Sequence, residues 1–241
     1  RERTDIKRVL LSAVIAAVHG IILVASRDLG AALIFFVSYL MMLYVATKQK
    51  AYLFIGLIAG FFACIAAYYL FAHVRVRVQT WLHPFADFYG KGNQIGNSLF
   101  GIGTGGWFGM GLYRGMPEKI PVVDKDFVFA AISEEMGALY ALCVLFLCLG
   151  CYMQFMLIAM KMQAMFYKLI AFGLGSVYIT QVFLTIGGVT KFIPSTGVTL
   201  PLVSYGGSSI VSTFIIFQVI QGLYVLKRGE EEEEENSSEK E

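Results

Sequence analysis

Charged side chains are scarce in this sequence. Only 15% of its 241 residues are Asp, Glu, Lys or Arg, against about 25% in an average soluble domain. Apolar residues make up 57% of the chain, above the roughly 45–50% of a soluble domain. This balance excludes an ordinary soluble core and is typical of a membrane protein.

Cysteine and histidine are also rare, with four and three copies. Cys148 and Cys151 form a C-x-x-C pair inside an apolar run, without a second pair to complete a metal site. We interpret the cysteines as small apolar filler, with metal or redox chemistry as the less favoured alternative. His19, His73 and His83 match no ligand spacing, so we predict no dedicated metal site made by the protein alone.

Six apolar stretches are long enough to cross a bilayer, which takes about 20 mainly apolar residues. They are residues 9–26, 29–47, 51–72, 127–160, 169–190 and 205–226. The fourth is too long for one plain span and contains Glu134 and Glu135. We expect its first part to face protein or water, and residues 137–160 to cross the lipid. The sequence therefore predicts an all-α, polytopic helical membrane protein.

Lys and Arg near the span ends set the predicted orientation. With the N-terminus in the cytoplasm, every short inside segment is basic, and most outside cations fall in one long loop, residues 73–126. We therefore predict an N-in/C-in transmembrane domain over residues 1–228.

The acidic residues 229–241 should form a disordered cytoplasmic tail. Because the chain starts at Arg1 rather than Met, we expect it to be part of a longer protein, and no signal peptide is visible.

Two segments predicted to lie outside the membrane are more than connectors. Residues 73–126 are rich in aromatic side chains, so we expect a structured extracytoplasmic loop with short interfacial helices. Residues 191–209 interrupt an apolar region with prolines, glycines and hydroxyls. Irregular backbone at this depth is tolerated where it is buried in protein or lines a wet cavity. We predict a cavity open to the outer face; a broken helix with a packing role is the alternative.

A glycine-rich run begins at Gly101 and formally matches G-x-G-x-x-G. That fingerprint indicates dinucleotide binding only between a strand and a helix, and the sequence predicts no such unit. We expect these glycines to permit tight turns and close packing instead.

Five blocks of the sequence resemble motifs of the SEDS family of bacterial membrane proteins, which comprises FtsW, RodA and SpoVE. Residues 77–94 resemble R-V-x-x-[FW]-L-x-P-x-x-D…G-x-Q, and residues 98–112 resemble the glycine-rich run that follows it. Residues 126–137 are close to D-F-I-F-A-x-I-x-E-E-x-G, and residues 194–209 are close to P-x-T-G-x-x-L-P-x-x-S-Y-G-G-S-S. Residues 28–30 match a D-L-G at the outer end of an earlier span. The blocks occur in family order.

The resemblance implies a function that composition could not. Members have about ten spans, of which the six here would be the last. They are peptidoglycan glycosyltransferases of the cytoplasmic membrane, which polymerise lipid II, a disaccharide-peptide on a polyprenyl diphosphate. The implied partner is a class B penicillin-binding protein, and the implied process is division, elongation or sporulation. A divalent cation, Mg²⁺ or Mn²⁺, would be held mostly by substrate oxygens and one or two carboxylates. We expect no nucleic-acid partner.

The resemblance also assigns candidate residues. Asp126 matches the family's essential acid, for which we predict a general-base role, with metal coordination as the alternative. Capping of the next helix is a compatible structural role. Arg77 and Lys191 are candidates for diphosphate contacts, against ordinary surface roles. The remaining substrate-site candidates are weaker cations, acidic partners and a cavity wall: Lys119, Lys125, Asp28, Glu135, Ser204, Tyr205, Gly206, Gly207 and Ser208.

The chain also departs from the family pattern. Residues 120–126 read IPVVDKD where the family often has L-P-E-x-H-x-D, and Thr185 replaces a common Asn. Three functions remain open: a glycosyltransferase, a lipid II flippase and an inactive scaffold of the division or elongation complex. A flippase needs a polar path through the bilayer, whereas the ionisable groups here cluster at one face. That pattern favours chemistry at the outer surface. The few polar mid-span candidates are His19, Ser38, Ser176, Gln181 and Thr185.

Overall fold

The computed structural model describes residues 6–238, and the side chains of residues 6–229. This part of the chain forms eight α-helices. They are α1 (Ile6–Ala25), α2 (Leu29–Thr47), α3 (Lys50–Leu70), α4 (Ala72–Leu82), α5 (Asn93–Gly105), α6 (Val128–Lys161), α7 (Met165–Val189) and α8 (Gly207–Ser238). A short 3-10 turn lies at Pro117–Lys119. Helices α1, α2, α3, α6, α7 and the first part of α8 are long and apolar enough to span a membrane. The predicted all-α class and its six spans are confirmed.

Helix α7 is the centre of the bundle and packs chiefly against α2 and α6. Half of its apolar span is buried, whereas none of the α1 or α3 span is. Small residues let the neighbours approach closely, as is usual between membrane helices. Gly173 faces Met42 of α2, and Gly175 faces Met156 of α6. A Cβ at either glycine would force the facing methionine side chain to move.

The long connection between α3 and α6 is a folded body, as predicted. It contains α4, α5 and the 3-10 turn. An apolar core joins it to the bundle. This core contains Ile95 of α5, Ile120, Phe127, Phe129 and Val189 at the end of α7. The first residues of α6 and the last of α7 thus share one core with the connection. This core fixes where Asp126 lies.

Helix α6 is broken at Gly137, whose φ of +85° and ψ of 169° are not helical. The break lies where the sequence predicts that the lipid-crossing part begins. A helix break leaves backbone groups without partners, and here the glycine-rich run supplies them. The four closing N–H···O bonds, 2.8–3.2 Å long, are Met110 to Glu134, Gly111 to Glu135, Ala138 to Gly106 and Leu139 to Trp107.

We call the contact made by these four bonds, between the glycine-rich run and α6, the clamp. It leaves no room for side chains at two of its glycines. A Cβ at Gly105 would collide with the carbonyl oxygen of Ser133, and one at Gly109 with that of Glu135. Gly109 also has a φ of +77°, which L side chains rarely adopt. The glycines therefore serve close packing, as predicted, and lie on a helix and turns rather than in a dinucleotide-binding unit.

The structure differs from the sequence prediction at the C-terminal tail. Disorder is predicted over residues 229–241, but α8 continues without interruption to Ser238. Glu is a good helix former, so a run of Glu that follows an established helix can extend it. Residues 239–241 lie outside the described part of the chain.

Candidate active site

A cleft of about 580 Å³ lies at the end of the bundle that carries α4 and α5. Its walls come from α4, the α4–α5 turn, the first turn of α5, the residue pair Pro121 and Asp126, and the irregular segment after α7. The segment 191–209 thus borders a cavity, as its sequence predicts. Residues more than 100 positions apart meet there, which a local sequence pattern does not show.

Arg77 ties α4 to the irregular segment. Its Nη1 donates a hydrogen bond of 2.8 Å to the carbonyl oxygen of Ser195. That bond leaves the rest of the guanidinium beside Gly197, an exposed residue with a φ of +74°. A Cβ placed on Gly197 would lie 3.9 Å from both Nη atoms of Arg77 and 3.9 Å from Oδ2 of Asp126. The predicted phosphate-binding cation and the predicted base therefore converge on one glycine.

Asp126 is half-buried at the edge of this cleft. Burial raises the pKa of its carboxyl above the usual value of 3.8, and the exposed Asp124 adds to the increase. The hydrogen bond from its own backbone, and the positive charges of Arg77 and Lys125, act in the opposite direction without cancelling the effect of burial. A raised pKa makes a carboxylate a stronger proton acceptor, provided that it stays ionised.

The predicted capping role of Asp126 is wrong. Helix α6 starts at Val128, its N-cap residue is Phe127, and no side chain caps it. Asp126 lies one residue too early because the buried Phe127 occupies the capping position. The carboxylate is therefore not used by the first turn of α6.

The cleft wall also contains polar residues that are not among the sequence-predicted site residues. Lys91 lies in the α4–α5 turn, and Asn93 and Gln94 form the first residues of α5. Gln94 belongs to the first resemblance block, so the motif itself was a signal for it. Lys91 had no such signal, because it counted only as one of several loop cations.

Three predicted cations do not line the cleft. Lys191 has a φ of +61°, and its carbonyl oxygen accepts a 3.0 Å bond from Nε1 of Trp81. This bond holds the start of the irregular segment against α4. Lys119 ends the 3-10 turn and is exposed. Lys125 is also exposed but lies next to Asp126 and lowers its pKa.

The two predicted acidic partners are engaged by backbone instead of cations. Oδ1 of Asp28 accepts a 2.9 Å bond from the N–H of Ala31 and caps α2. Oε1 of Glu135 accepts a 3.0 Å bond from the N–H of Tyr113, within the glycine clamp. Neither residue lines the cleft. Each carboxylate satisfies an N–H group that would otherwise lack a partner, and its pairing with site cations stays a prediction.

Residues 204–208 fold the turn before α8 and do not line the cleft. Oγ of Ser204 accepts the N–H of Leu200 at 2.8 Å, and the N–H of Tyr205 donates to the carbonyl of Asp124 at 2.7 Å. The second bond holds the part of the chain just before Asp126 against the turn. The other members of the turn are Gly206 and Ser208, whose carbonyls accept bonds from Ile210 and Ser212, and Gly207, which opens α8.

These features define a class: a polytopic helical membrane protein with a charged cleft at one end of its bundle. The chain belongs to the FtsW/RodA/SpoVE family of cell cycle proteins, whose family model matches residues 1–228. It is 42% identical over 199 residues to peptidoglycan glycosyltransferase RodA of Mycobacterium tuberculosis, covering 83% of this chain and 42% of RodA. It is 36% identical over 196 residues to stage V sporulation protein E of Bacillus subtilis, covering 79% and 52%.

A solved structure shows the same fold. It comes from work on the structural coordination of polymerization and crosslinking by a peptidoglycan synthase complex. The TM-score is 0.71 at 25% sequence identity, over 88% of this chain and 60% of the other. The present chain spans about half the length of the curated relatives named above.

Proposed function

We propose that the full-length protein containing this chain is a peptidoglycan glycosyltransferase that polymerises lipid II at the outer face of the bacterial cytoplasmic membrane. Its similarity to RodA, named a peptidoglycan glycosyltransferase, supports the class of reaction. The observation that carries the proposal is the convergence of Arg77 and Asp126 on Gly197 in one open cleft. The predicted N-in/C-in orientation would place this cleft outside the cell.

The reaction needs a base and a cation on opposite sides of the reacting carbon. The acceptor sugar hydroxyl attacks the anomeric carbon of the donor, the new glycosidic C–O bond forms, and the bond to the diphosphate breaks with inversion. Asp126 takes the hydroxyl proton as the attack proceeds. Arg77 stabilises the charge that develops on the departing diphosphate. Gly197 keeps the space between the two groups free of side-chain atoms.

A divalent cation fits this cleft only together with the substrate. No cluster of three or more metal-ligating side chains exists within the described residues, and Asp126 is the one carboxylate of the cleft wall. Mg²⁺ is commonly held by one or two carboxylates plus substrate phosphates. If Asp126 has the alternative role of metal ligand instead of base, its carboxylate and the diphosphate oxygens would hold the ion, which would supply further charge neutralisation for the leaving group.

The implied partner is a class B penicillin-binding protein in the same membrane. The similarity to a chain from a peptidoglycan synthase complex supports this part of the proposal. Polymerised glycan would then pass to the partner for crosslinking.

The flippase alternative needs polar side chains free to line a path through the bilayer. The three on α7 are bonded to the protein itself, whereas the buried Oγ of Ser38 on α2 has no hydrogen-bond partner among the described residues. Oγ of Ser176 donates to a backbone carbonyl one helical turn earlier at 2.8 Å. Gln181 and Thr185 donate to carbonyls of the irregular segment at 3.0 Å and 2.9 Å. The bonds of Gln181 and Thr185 fix α7 to the irregular segment, which suits a rigid site better than a translocation path.

The test is gel-based polymerisation of purified lipid II by the full-length protein with its partner, comparing wild type with Asp126→Ala. Long glycan chains from wild type and none from a folded variant are expected. Equal chains from both would remove Asp126 from the mechanism. A complex that is intact but makes no chains would favour the transporter or scaffold, and a lipid II flipping assay in vesicles would separate these two.

A further inference from the structure

The cleft holds two basic side chains and one acidic side chain along its wall. The bases are Arg77 on α4 and Lys91 in the α4–α5 turn, and the acid is Asp126. Arg77 is engaged with the carbonyl of Ser195 through one of its nitrogens. The side chain of Lys91 is exposed and makes no hydrogen bond or ion pair with any described residue. Its ammonium forms no ion pair with a described residue, although the carboxylate of Asp87 lies beside its backbone.

The backbone of Lys91 is held in place by a tight turn. Oδ2 of Asp87 accepts the N–H of Lys91 at 3.2 Å. The carbonyl oxygen of Asp87 also accepts the N–H groups of Gly90 at 3.1 Å and Gly92 at 3.0 Å. Gly92 lies so close to the carbonyl of the buried Pro84 that a Cβ would collide with it. Such a turn presents Lys91 at a fixed place, which a mobile surface lysine lacks.

The neighbouring backbone adds positive potential on the same wall. Asn93, Gln94 and Ile95 open α5 and all line the cleft. No side chain caps this helix, and its first turn contains no acid. The carboxylate of Asp87, which accepts the N–H of Lys91, offsets part of the positive end of this helix dipole. This end supports the electrostatics of the wall but would not define a site without the two cations.

We infer that Lys91 binds the diphosphate of the polyprenyl-linked substrate together with Arg77. This inference rests on the proposed function and assigns the anion to one side of the cleft. An anion between Arg77 and Lys91 is held by a guanidinium and by an ammonium point charge. The carboxylate of Asp126 must remain free to accept a proton. The wall of α4 and the turn is the leaving-group side, and Asp126 marks the acceptor side.

The experiment measures binding rather than turnover. The full-length protein in lipid nanodiscs is titrated with undecaprenyl diphosphate, which lacks both sugar and peptide. Lys91→Ala should weaken binding about tenfold, the size expected for one lost hydrogen bond to a charged group. Lys91→Arg should restore most of the affinity. Arg114→Ala is the matched control, since it removes one exposed positive charge from the same connection but outside the cleft, and its affinity should equal that of wild type.

The outcomes separate the inference from the proposed function. Unchanged affinity in a folded Lys91→Ala protein would overturn the inference, even if the protein polymerises lipid II. A loss seen with lipid II but not with undecaprenyl diphosphate would also overturn it, because Lys91 would then contact the carboxylates of the peptide. A tenfold loss with the diphosphate alone supports the inference even where polymerisation fails. Equal losses for Lys91→Ala and Arg114→Ala would mean a general charge effect and contradict a defined site.

Discussion

Asp126 and the pair Glu134–Glu135 lie less than ten residues apart in one motif, yet their surroundings differ. The carboxylate of Asp126 faces an open cleft and the charge of Arg77. Glu134 is buried, and its Oε1 accepts the N–H of Met116 at 2.9 Å. Glu135 accepts the N–H of Tyr113 at 3.0 Å. Backbone partners make the second region a structural clamp, whereas a cation and solvent make the first a reactive site.

This contrast shows how to distinguish acids of one motif by their partners. A carboxylate that accepts hydrogen bonds from the N–H groups of a folded loop stabilises that loop. A half-buried carboxylate with a raised pKa and no loop to hold is suited to proton transfer. The two regions should therefore respond differently to substitution: changes in the clamp should alter unfolding, and changes in the cleft should alter the reaction.

The largest effect on unfolding is expected for Gly137→Ala. An alanine there must adopt a φ of +85°, and its Cβ would press on the backbone of Trp107–Gly109. Strained backbone of this kind costs about 1–3 kcal/mol before the collision is counted. The melting temperature of the full-length protein should fall by several degrees. Gly150→Ala, in the same helix with nothing within 4 Å of a Cβ, should melt like wild type; equal melting of both variants would contradict the clamp.

Glu134→Ala should destabilise the protein by about 1–3 kcal/mol, because the N–H of Met116 loses a charged acceptor in a partly buried place. Glu134→Gln keeps an acceptor oxygen and should fall between wild type and Glu134→Ala. Thermal unfolding followed by tryptophan fluorescence measures both. If the alanine variant unfolds at the wild-type temperature, the side-chain bond does not hold the clamp.

Arg77→Gln should change the pH dependence of polymerisation. The positive charge of Arg77 lowers the pKa of Asp126, so its removal lets burial raise that pKa further. A base must be ionised to act, and the rate therefore falls as pH falls through its pKa. The acid limb of the pH–rate profile should move to higher pH in Arg77→Gln and stay in place in the control Arg114→Gln. An acid limb that moves to lower pH would contradict this electrostatic coupling.

The smallest effect expected is a gain of stability in Asp126→Asn. The folded pKa of Asp126 lies above its usual value of 3.8, so the folded state binds more protons than the unfolded state between those two values. The contribution of this group to stability therefore falls as pH rises through that window, and stays lower above it. Asp126→Asn removes the energetic cost of burying a charged carboxylate. It should melt slightly above wild type at neutral pH, and the difference should shrink once the pH falls below the window. Lower melting at neutral pH would contradict the effect of burial.

The spans could be predicted from sequence because lipid imposes a length and an apolar composition on each of them. The sequence also marks Gly137 as a boundary, since two adjacent glutamates cannot face lipid, but it does not predict the helix break there. The helical part of the acidic tail was not predicted, because composition alone does not show that a preceding helix can extend into the tail.

The site was only partly predictable. Arg77 and Asp126 carry motif resemblance, and the structure brings them together. Lys91 depends on how residues 84–92 fold back on Asp87, which no local pattern reveals. The hydroxyl and glycine residues 204–208 suggested a cavity wall, but such side chains serve equally well to bond their own turn. The backbone partner of Glu135, Tyr113, lies 22 residues away in sequence, which no local pattern indicates.

The most direct test of the contrast between cleft and clamp is one polymerisation assay with two matched substitutions. Asp126→Asn and Glu135→Gln each remove a single negative charge from the full-length protein, and each keeps a side chain of the same size. Lipid II polymerisation by Asp126→Asn should fall about 10²–10⁴-fold, the usual contribution of a general base, while Glu135→Gln should retain most activity once equal amounts of folded protein are compared. Equal losses in both, or activity in Asp126→Asn alone, would contradict the assignment of the reaction to the cleft.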